Sequence, residues 1–193
     1  MKYRAFLLFG APGSGKGTQG KILGTIPGFF HMACGDVFRS MNLSSEVGRA
    51  FLEYSSKGQL VPDDVTILLW SEYLEKMIAL GRFKPEIDHL VLDGIPRNVH
   101  QSEMLEDSLE VKKVFHLSCP DRAKLVERLQ RRALKENRID DANKELIEER
   151  LKIYEDETKP VLEFYGNDLI VDIDASYFPY EVLRDILQFV ETN

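Results

Sequence analysis

FLLFGAPGSGKGT, residues 6–18, places an apolar run directly before a glycine loop and helix-permissive residues directly after it. That order reads as strand, loop and helix N-terminus. Successive backbone N–H groups in such a loop form a concave anion site with the helix dipole behind them, and Lys16 adds a full charge. Small residues at Gly10, Gly13, Gly15 and Gly17 let the main chain close round a phosphate. The spacing fits the phosphate-loop pattern G-x-x-x-x-G-K with one departure. Gly17 stands where Ser or Thr usually follows the lysine, and the hydroxyl comes one residue later at Thr18. A plain strand-to-helix turn that binds nothing is the other reading, and it leaves Lys16 without a reason.

Working outward, short apolar runs recur at residues 6–9, 89–92, 114–117 and 169–173, each followed by a turn signal and a helical pattern. Strands alternating with helices predict a parallel, doubly wound α/β sheet covered on both faces. Ligands in such sheets sit beyond the carboxyl ends of the strands. The glycine loop, residues 93–97 (DGIPR) and residues 118–121 (SCPD) all follow such ends and are expected to converge on one cleft.

Between residues 33 and 62 no strand candidate is found. A short helix is expected at Gly35-Asp36-Val-Phe-Arg39 and another over residues 45–57, with Ser44 or Ser45 as N-cap and Gly58 as C-cap. This stretch reads as a small helical lobe inserted in the sheet. A further helix is expected over 65–80, with Val65, Leu68, Leu69 and Leu80 apolar and Trp70 and Met77 in the core. The charged helix 121–132 carries Arg128 and Arg132 on one face, and a break is expected at 133–137. From about Asn143 another helix runs until Pro160, and residues 180–190 form a closing amphipathic helix.

At 193 residues the chain suits one domain with inserts, and 44% hydrophobic and 30% charged residues are ordinary for a globular protein. A net charge of −7 argues against a nucleic-acid or membrane surface. The first apolar run is broken at Gly10, so neither a leader nor a membrane span is read there. Cys34 and Cys119 match no disulfide or zinc framework, and a reduced, cytoplasmic setting is expected. His31, His89, His100 and His116 fit no triad or metal spacing and are expected to cap or pack.

Several motifs now agree. Gly10-x-Pro-Gly-Ser-Gly-Lys-Gly-Thr18 resembles the adenylate kinase form of the phosphate loop, Gly17 included. Gly35-Asp36-x-x-Arg39, Gly58-Gln-Leu-Val-Pro62-Asp63 and Asp93-Gly-Ile-Pro-Arg97-x-x-x-Gln101 resemble that family's monophosphate-site motifs. Arg128-x-x-x-Arg132, Arg138-x-Asp-Asp141, Arg150 and Thr158-x-Pro160 resemble its lid and the helix after it. The resemblance implies a P-loop NTPase fold with a five-stranded parallel sheet, made of a core (1–32, 63–130 and 142–193), a monophosphate-binding lobe (33–62) and a short lid (131–141). Only Ala133-Leu-Lys-Glu-Asn137 separates Arg132 from Arg138, without Cys or His, so no zinc staples the lid.

The implied reaction is reversible phosphoryl transfer from ATP·Mg²⁺ to AMP, giving two ADP, by a monomer. The residue chemistry agrees, since phosphoryl transfer asks for positioning and fixed cations more than for nucleophiles. This acidic chain nonetheless puts Lys16, Arg39, Arg97, Arg128, Arg132, Arg138 and Arg150 in cleft-facing segments, while Arg131 matches no motif position and reads as a surface charge. By resemblance, ATP is held by Gly13, Ser14, Gly15, Lys16, Gly17 and Thr18, with Arg128, Arg132 and Tyr177 toward the base and lid. AMP is held by Cys34, Arg39, Gln59, Leu60, Val61, Gly94, Arg97, Gln101, Arg138 and Arg150, with Arg39 and Arg97 on its phosphate, and Arg132, Arg138 and Arg150 close over the transferring group. Asp140 and Asp141 position the lid, and Asp93 is the outer-shell Mg²⁺ partner through water, with Asp36 as a second candidate. A Gln amide can donate to and accept from an adenine edge, which favours AMP through Gln101. Cys34, where AMP-using relatives typically carry Thr, departs from the pattern. A UMP/CMP kinase, or an ATP-binding switch or scaffold without catalysis, are the other readings.

Overall fold

The computed structural model of the chain describes residues 2–41, 46–136, 138, 141 and 143–190. Its sheet consists of β1 (Tyr3–Phe9), β2 (Phe29–Ala33), β3 (His89–Asp93), β4 (Leu109–Ser118) and β5 (Ile170–Asp174), in the order β2-β3-β1-β4-β5. Every neighbouring pair is parallel. Alternate residues feed two different cores. Ala5, Leu7 and Phe9 pack with Leu90, Leu92 and Val114 on one face, and Phe6 and Leu8 pack with Val91, Phe115 and Leu117 on the other. Burial on both faces explains the apolar runs Phe6–Phe9 of β1 and Leu90–Leu92 of β3.

The fifth strand, β2, is the one no apolar run announced. Its sequence FFHMA sits at the sheet edge, and four of its five residues are only partly buried. An edge strand needs no continuous apolar run, and His31 interrupts this one.

The helices cover both faces, as the doubly wound reading requires. On the first face lie α4 (Asp63–Ala79), α5 (Val99–Leu105) and α8 (Val161–Tyr165), through Leu69, Trp70, Leu74, Met77, Leu105 and Val161. On the second lie α1 (Lys16–Leu23) and α9 (Pro179–Leu187), through Leu23, Val182 and Ile186. A third, smaller core joins α6 (Arg122–Glu136) to α7 (Lys144–Ile153) through Leu125, Leu129, Ile147 and Leu151, with Ala11 of the glycine loop packed against it. The α6–α7 pair is thereby seated on the loop. Between β2 and α4 come α2 (Cys34–Arg39) and α3 (Glu46–Ser55), with Phe38 and Phe51 stacked 5.2 Å apart.

Several boundaries differ from the sequence reading. Helix α4 starts at Asp63, where Pro62 precedes it and Asp63 and Asp64 face the positive end of its dipole. Leu68 and Leu80 are exposed rather than inward, because the buried stripe runs through Leu69, Trp70, Leu74 and Met77. The break expected at 133–137 is absent as far as Glu136, since Ala133, Leu134, Lys135 and Glu136 are all strong helix formers that continue α6. Helix α3 stops at Ser55, short of Lys57, and α9 stops at Leu187, short of Val190. The caps assigned to Ser44 or Ser45 lie outside the described residues, as does Asp140. The Asn143 side chain caps α7 by accepting from the Leu146 N–H at 2.8 Å. Beyond α7 the chain continues as one wide turn of π-helix, Tyr154–Thr158, before Pro160 permits only the short α8.

Candidate active site

The glycine loop leaves β1 at Gly10, whose φ of +144° few residues other than glycine adopt. A side chain there would also meet the Leu117 carbonyl oxygen at 2.5 Å. At the far end, Gly15 precedes α1 with φ +103°, and among the described residues the first turn of α1 has neither a side-chain cap nor an acidic residue. Its N–H groups and positive dipole end are therefore left for an anionic ligand. Lys16 Nζ donates to the Gly10 and Ala11 carbonyls at 2.6 and 3.1 Å, which folds the side chain back along the loop. Desolvation lowers its pKa from 10.5 to about 8. The Asp93 carboxylate opposes that shift, and Arg97, Arg132 and Arg150 add to it.

Asp93 ends β3 beside this loop. In register, Leu8 of β1 lies level with Asp93 on one side and Phe115 on the other. A Cβ at Gly17 would stand 3.4 Å from the Asp93 carboxylate, so the residue after the lysine faces an acid where the usual motif supplies a hydroxyl. Hard oxygen donors from Asp93 and Thr18 at the mouth of a phosphate site suit a magnesium ion that keeps most of its waters. No group of three or more His, Cys, Asp or Glu able to hold a metal occurs among the described residues.

The lid side of the site is organised by one acid. Asp141 has a fully buried side chain and accepts from Arg132 Nε at 2.7 Å and Nη2 at 3.1 Å in a two-point fork. Arg150 Nη1 donates to the same carboxylate, and Arg138 Nε lies 3.8 Å from it. Three guanidinium groups, from α6, from the segment after it and from α7, thus share one buried carboxylate. Arg128 Nη1 donates to the Ala175 carbonyl at 3.0 Å, and Lys124 Nζ to the Ser176 carbonyl at 2.6 Å, tying α6 to the loop after β5.

On the opposite wall Arg97 Nε donates to the Gly94 carbonyl at 2.9 Å, and Arg39 pairs with Asp36 at 2.5 Å. Burial alone would raise the Asp36 carboxyl, but the Arg39 hydrogen bond and charge bring it below its usual value. Gln101 is 1% exposed, with Oε1 accepting from the Arg97 N–H at 2.8 Å and Nε2 donating to Asp63 at 2.7 Å. Cys34 is buried nearby, and burial pushes its thiol up to about 11.

Two connected hollows result. A cleft of about 1130 Å³ is lined by Gly13, Ser14, Gly15, Lys16, Gly17, Thr18, Arg128, Arg132 and Tyr177, together with Asp93. Its volume exceeds the ~300–1,000 Å³ of a site for one drug-sized ligand. A narrow pocket of about 60 Å³ opens off it, lined by Cys34, Gln59, Leu60, Val61, Gly94 and Gln101. Arg39, Arg97, Arg138 and Arg150 line both.

The family model described as adenylate kinase matches residues 8–170. An adenylate kinase of Cyanothece sp. is 35% identical over 192 residues, covering 96% of this chain and 94% of the relative. That of Thermobifida fusca is 36% identical over 177 residues and 88% of each chain. That of Porphyromonas gingivalis is 36% identical over 165 residues, 82% of this chain and 80% of the relative. The chain belongs to the adenylate kinase family.

Within this adenylate kinase fold, two of the three expected segments meet at the cleft. The third, residues 118–121, does not line it. Cys119 packs against the α6–α7 core and Asp121 accepts from the Lys124 N–H, so this segment only launches α6, whose later turns reach the cleft. Asp141 also stands behind the wall rather than in it. Arg131, read as a surface charge, pairs with Glu127 and yet lines the cleft. Lys124 was missed, although it falls one turn before Arg128 on the same helix face. Among the histidines, His116 lies between Asp172 at 2.6 Å and the Tyr154 hydroxyl at 3.0 Å, and His89 packs against Phe6 and Phe29. No helix of the described residues is long and apolar enough to cross a membrane.

Proposed function

We propose that this chain transfers the terminal phosphoryl group of ATP reversibly to AMP, giving two ADP. The observation that carries this reading is the set Arg39, Arg97, Arg138 and Arg150, which lines both hollows at their junction. Transfer between two polyanions needs fixed positive charge on the donor, the acceptor and the group between them, and guanidinium forks supply it at any relevant pH.

In this reading the loop N–H groups and Lys16 hold the ATP β- and γ-phosphates, and Arg128 with Tyr177 borders the ATP base. Arg39 and Arg97 hold the AMP phosphate. Arg132, Arg138 and Arg150, oriented together by Asp141, close over the transferring group. The AMP base lies where the small pocket opens off the cleft, beside Cys34, with Gln101 presenting its amide to the purine edge. Mg²⁺, when bound with ATP, neutralises phosphate charge, and Asp93 would hold it through water. The segments 33–62 and 131–141 act as the lobe and lid that close over core 1–32, 63–130 and 142–193, excluding water that would otherwise hydrolyse ATP. Nucleotides are the partners, and the protein works as a cytoplasmic monomer.

A coupled assay with ATP·Mg²⁺ and each of AMP, CMP and UMP tests this. AMP-dependent ADP formation should exceed that with either pyrimidine nucleotide at least about tenfold, as expected for a bidentate base contact. Lys16→Ala should lower kcat by about 10²–10³, the cost of losing one preorganised electrostatic contact. ADP formation independent of any acceptor, or a preference for CMP or UMP, would overturn the proposal.

A further inference from the structure

Gln101 is not a free reader of the base, because both ends of its amide are already bonded. Oε1 accepts from the Arg97 N–H at 2.8 Å, and Nε2 donates to Asp63 Oδ1 at 2.7 Å. A carboxylate only accepts and a backbone N–H only donates, so the amide is held in one of its two orientations. Asp63 itself is fixed from a second side. Asn98 Nδ2 donates to its two oxygens at 3.0 and 3.2 Å, and Asn98 Oδ1 accepts from the Gln101 N–H at 2.8 Å. These residues come from the start of α4 and the N-cap and first turn of α5. Asp63 does not line the small pocket, whereas Gln101 does.

The held amide keeps one N–H and one lone pair in reserve. A 6-aminopurine offers a ring acceptor beside an amino donor, which this orientation matches. A 6-oxopurine offers a ring N–H beside a carbonyl, which needs the amide turned over. Turning it would set Oε1 against the Asp63 carboxylate and Nε2 against the Arg97 N–H.

We propose that Asp63 is a specificity-determining positioning residue, which makes the monophosphate site select 6-amino over 6-oxo purines by fixing the orientation of the Gln101 amide. This rests on the reading of the mouth of the small pocket as the monophosphate base site. The test compares kcat/KM for AMP and IMP in the wild type and in Asp63→Asn, Asp63→Ala and Asp63→Glu, with KM for ATP as a control. Asp63→Asn, which can put an N–H against Gln101, should reduce the AMP preference about tenfold, a typical weight of one such contact. Asp63→Ala should reduce it less, and Asp63→Glu, still an acceptor only, should restore it. KM for ATP should stay unchanged.

Equal losses for AMP and IMP, or an unaltered preference in folded Asn and Ala variants, would overturn the proposal. A wild type inactive with AMP would instead overturn the function reading. The wild type also offers a measurement that needs no variant. With side-chain ¹⁵N-labelled glutamine, one Gln101 Nε2 proton should resonate far downfield and be protected from exchange, and two protons at ordinary glutamine shifts, both unprotected, would refute a held amide.

Discussion

Replacing Lys16 by methionine should make the folded protein more stable at pH 7 while abolishing most of its turnover. Desolvation moves the lysine pKa from 10.5 to about 8. At ~1.36 kcal/mol per pH unit, that corresponds to about 3 kcal/mol of extra cost for the charged form. Because the side chain lines the open cleft and is only partly buried, water screens part of this, and about 1–2 kcal/mol should be recovered in Lys16→Met. The pH dependence has a definite sign. Below pH 8 Lys16 is charged in both states and the cost is fully present. Between about 8 and 10.5 the unfolded chain holds the proton more often than the folded one, so this group's contribution to stability rises with pH. The gap between variant and wild type should therefore shrink from pH 7 to pH 10. Urea unfolding at several pH values measures it, alongside ADP formation at pH 7. A variant less stable than wild type at pH 7, or a gap that ignores pH, would show that burial does not govern Lys16. The same charge balance makes ATP binding take up a proton above pH 8, because a polyphosphate favours charged Lys16.

Three further outcomes concern buried groups. Asp141→Ala leaves Arg132, Arg138 and Arg150 without their shared acceptor, and since these arginines are partly solvated it should cost about 2–4 kcal/mol in urea unfolding, somewhat below a fully buried pair. It should also lower kcat, and an unchanged unfolding midpoint would refute the structural role of the carboxylate. At pH 7.5 a thiol reagent should modify Cys119 quickly and Cys34 at least about a hundredfold more slowly, since burial holds the Cys34 proton on up to about 11. Equal rates would contradict this. Cys34→Thr should leave KM for AMP unchanged or lower it.

How much was legible in the chain depended on how local the physics is. The glycine loop is readable because its chemistry lies within residues 10–18 and needs only a strand before it and a helix after it. The strands β1 and β3 are readable because burial on both faces forces apolar runs, Phe6–Phe9 against Leu90–Leu92. At the edge that constraint lapses, and β2, with His31 in its middle, gave no such run. At the end of α6 the expected break at 133–137 gives way for a different reason: Ala133, Leu134, Lys135 and Glu136 all favour helix and carry it on to Glu136.

The arginines that could hold phosphates are likewise visible in sequence, as cations spaced on helix faces and after strand ends. Which of them act together is not. Arg132 and Arg150 are joined only because α6 and α7 pack through Leu125, Leu129, Ile147 and Leu151, which brings both to Asp141. Gln101 is a candidate base reader from its motif, but its orientation is set by Asp63, 38 residues earlier, across the α4–α5 contact. The sequence alone determined what kinds of group the site holds, because spacing along one strand, loop or helix is enough to place them. Only the tertiary structure decided which groups bind one another, because hydrogen bonds and ion pairs depend on ångström distances that distant parts of the chain set by packing.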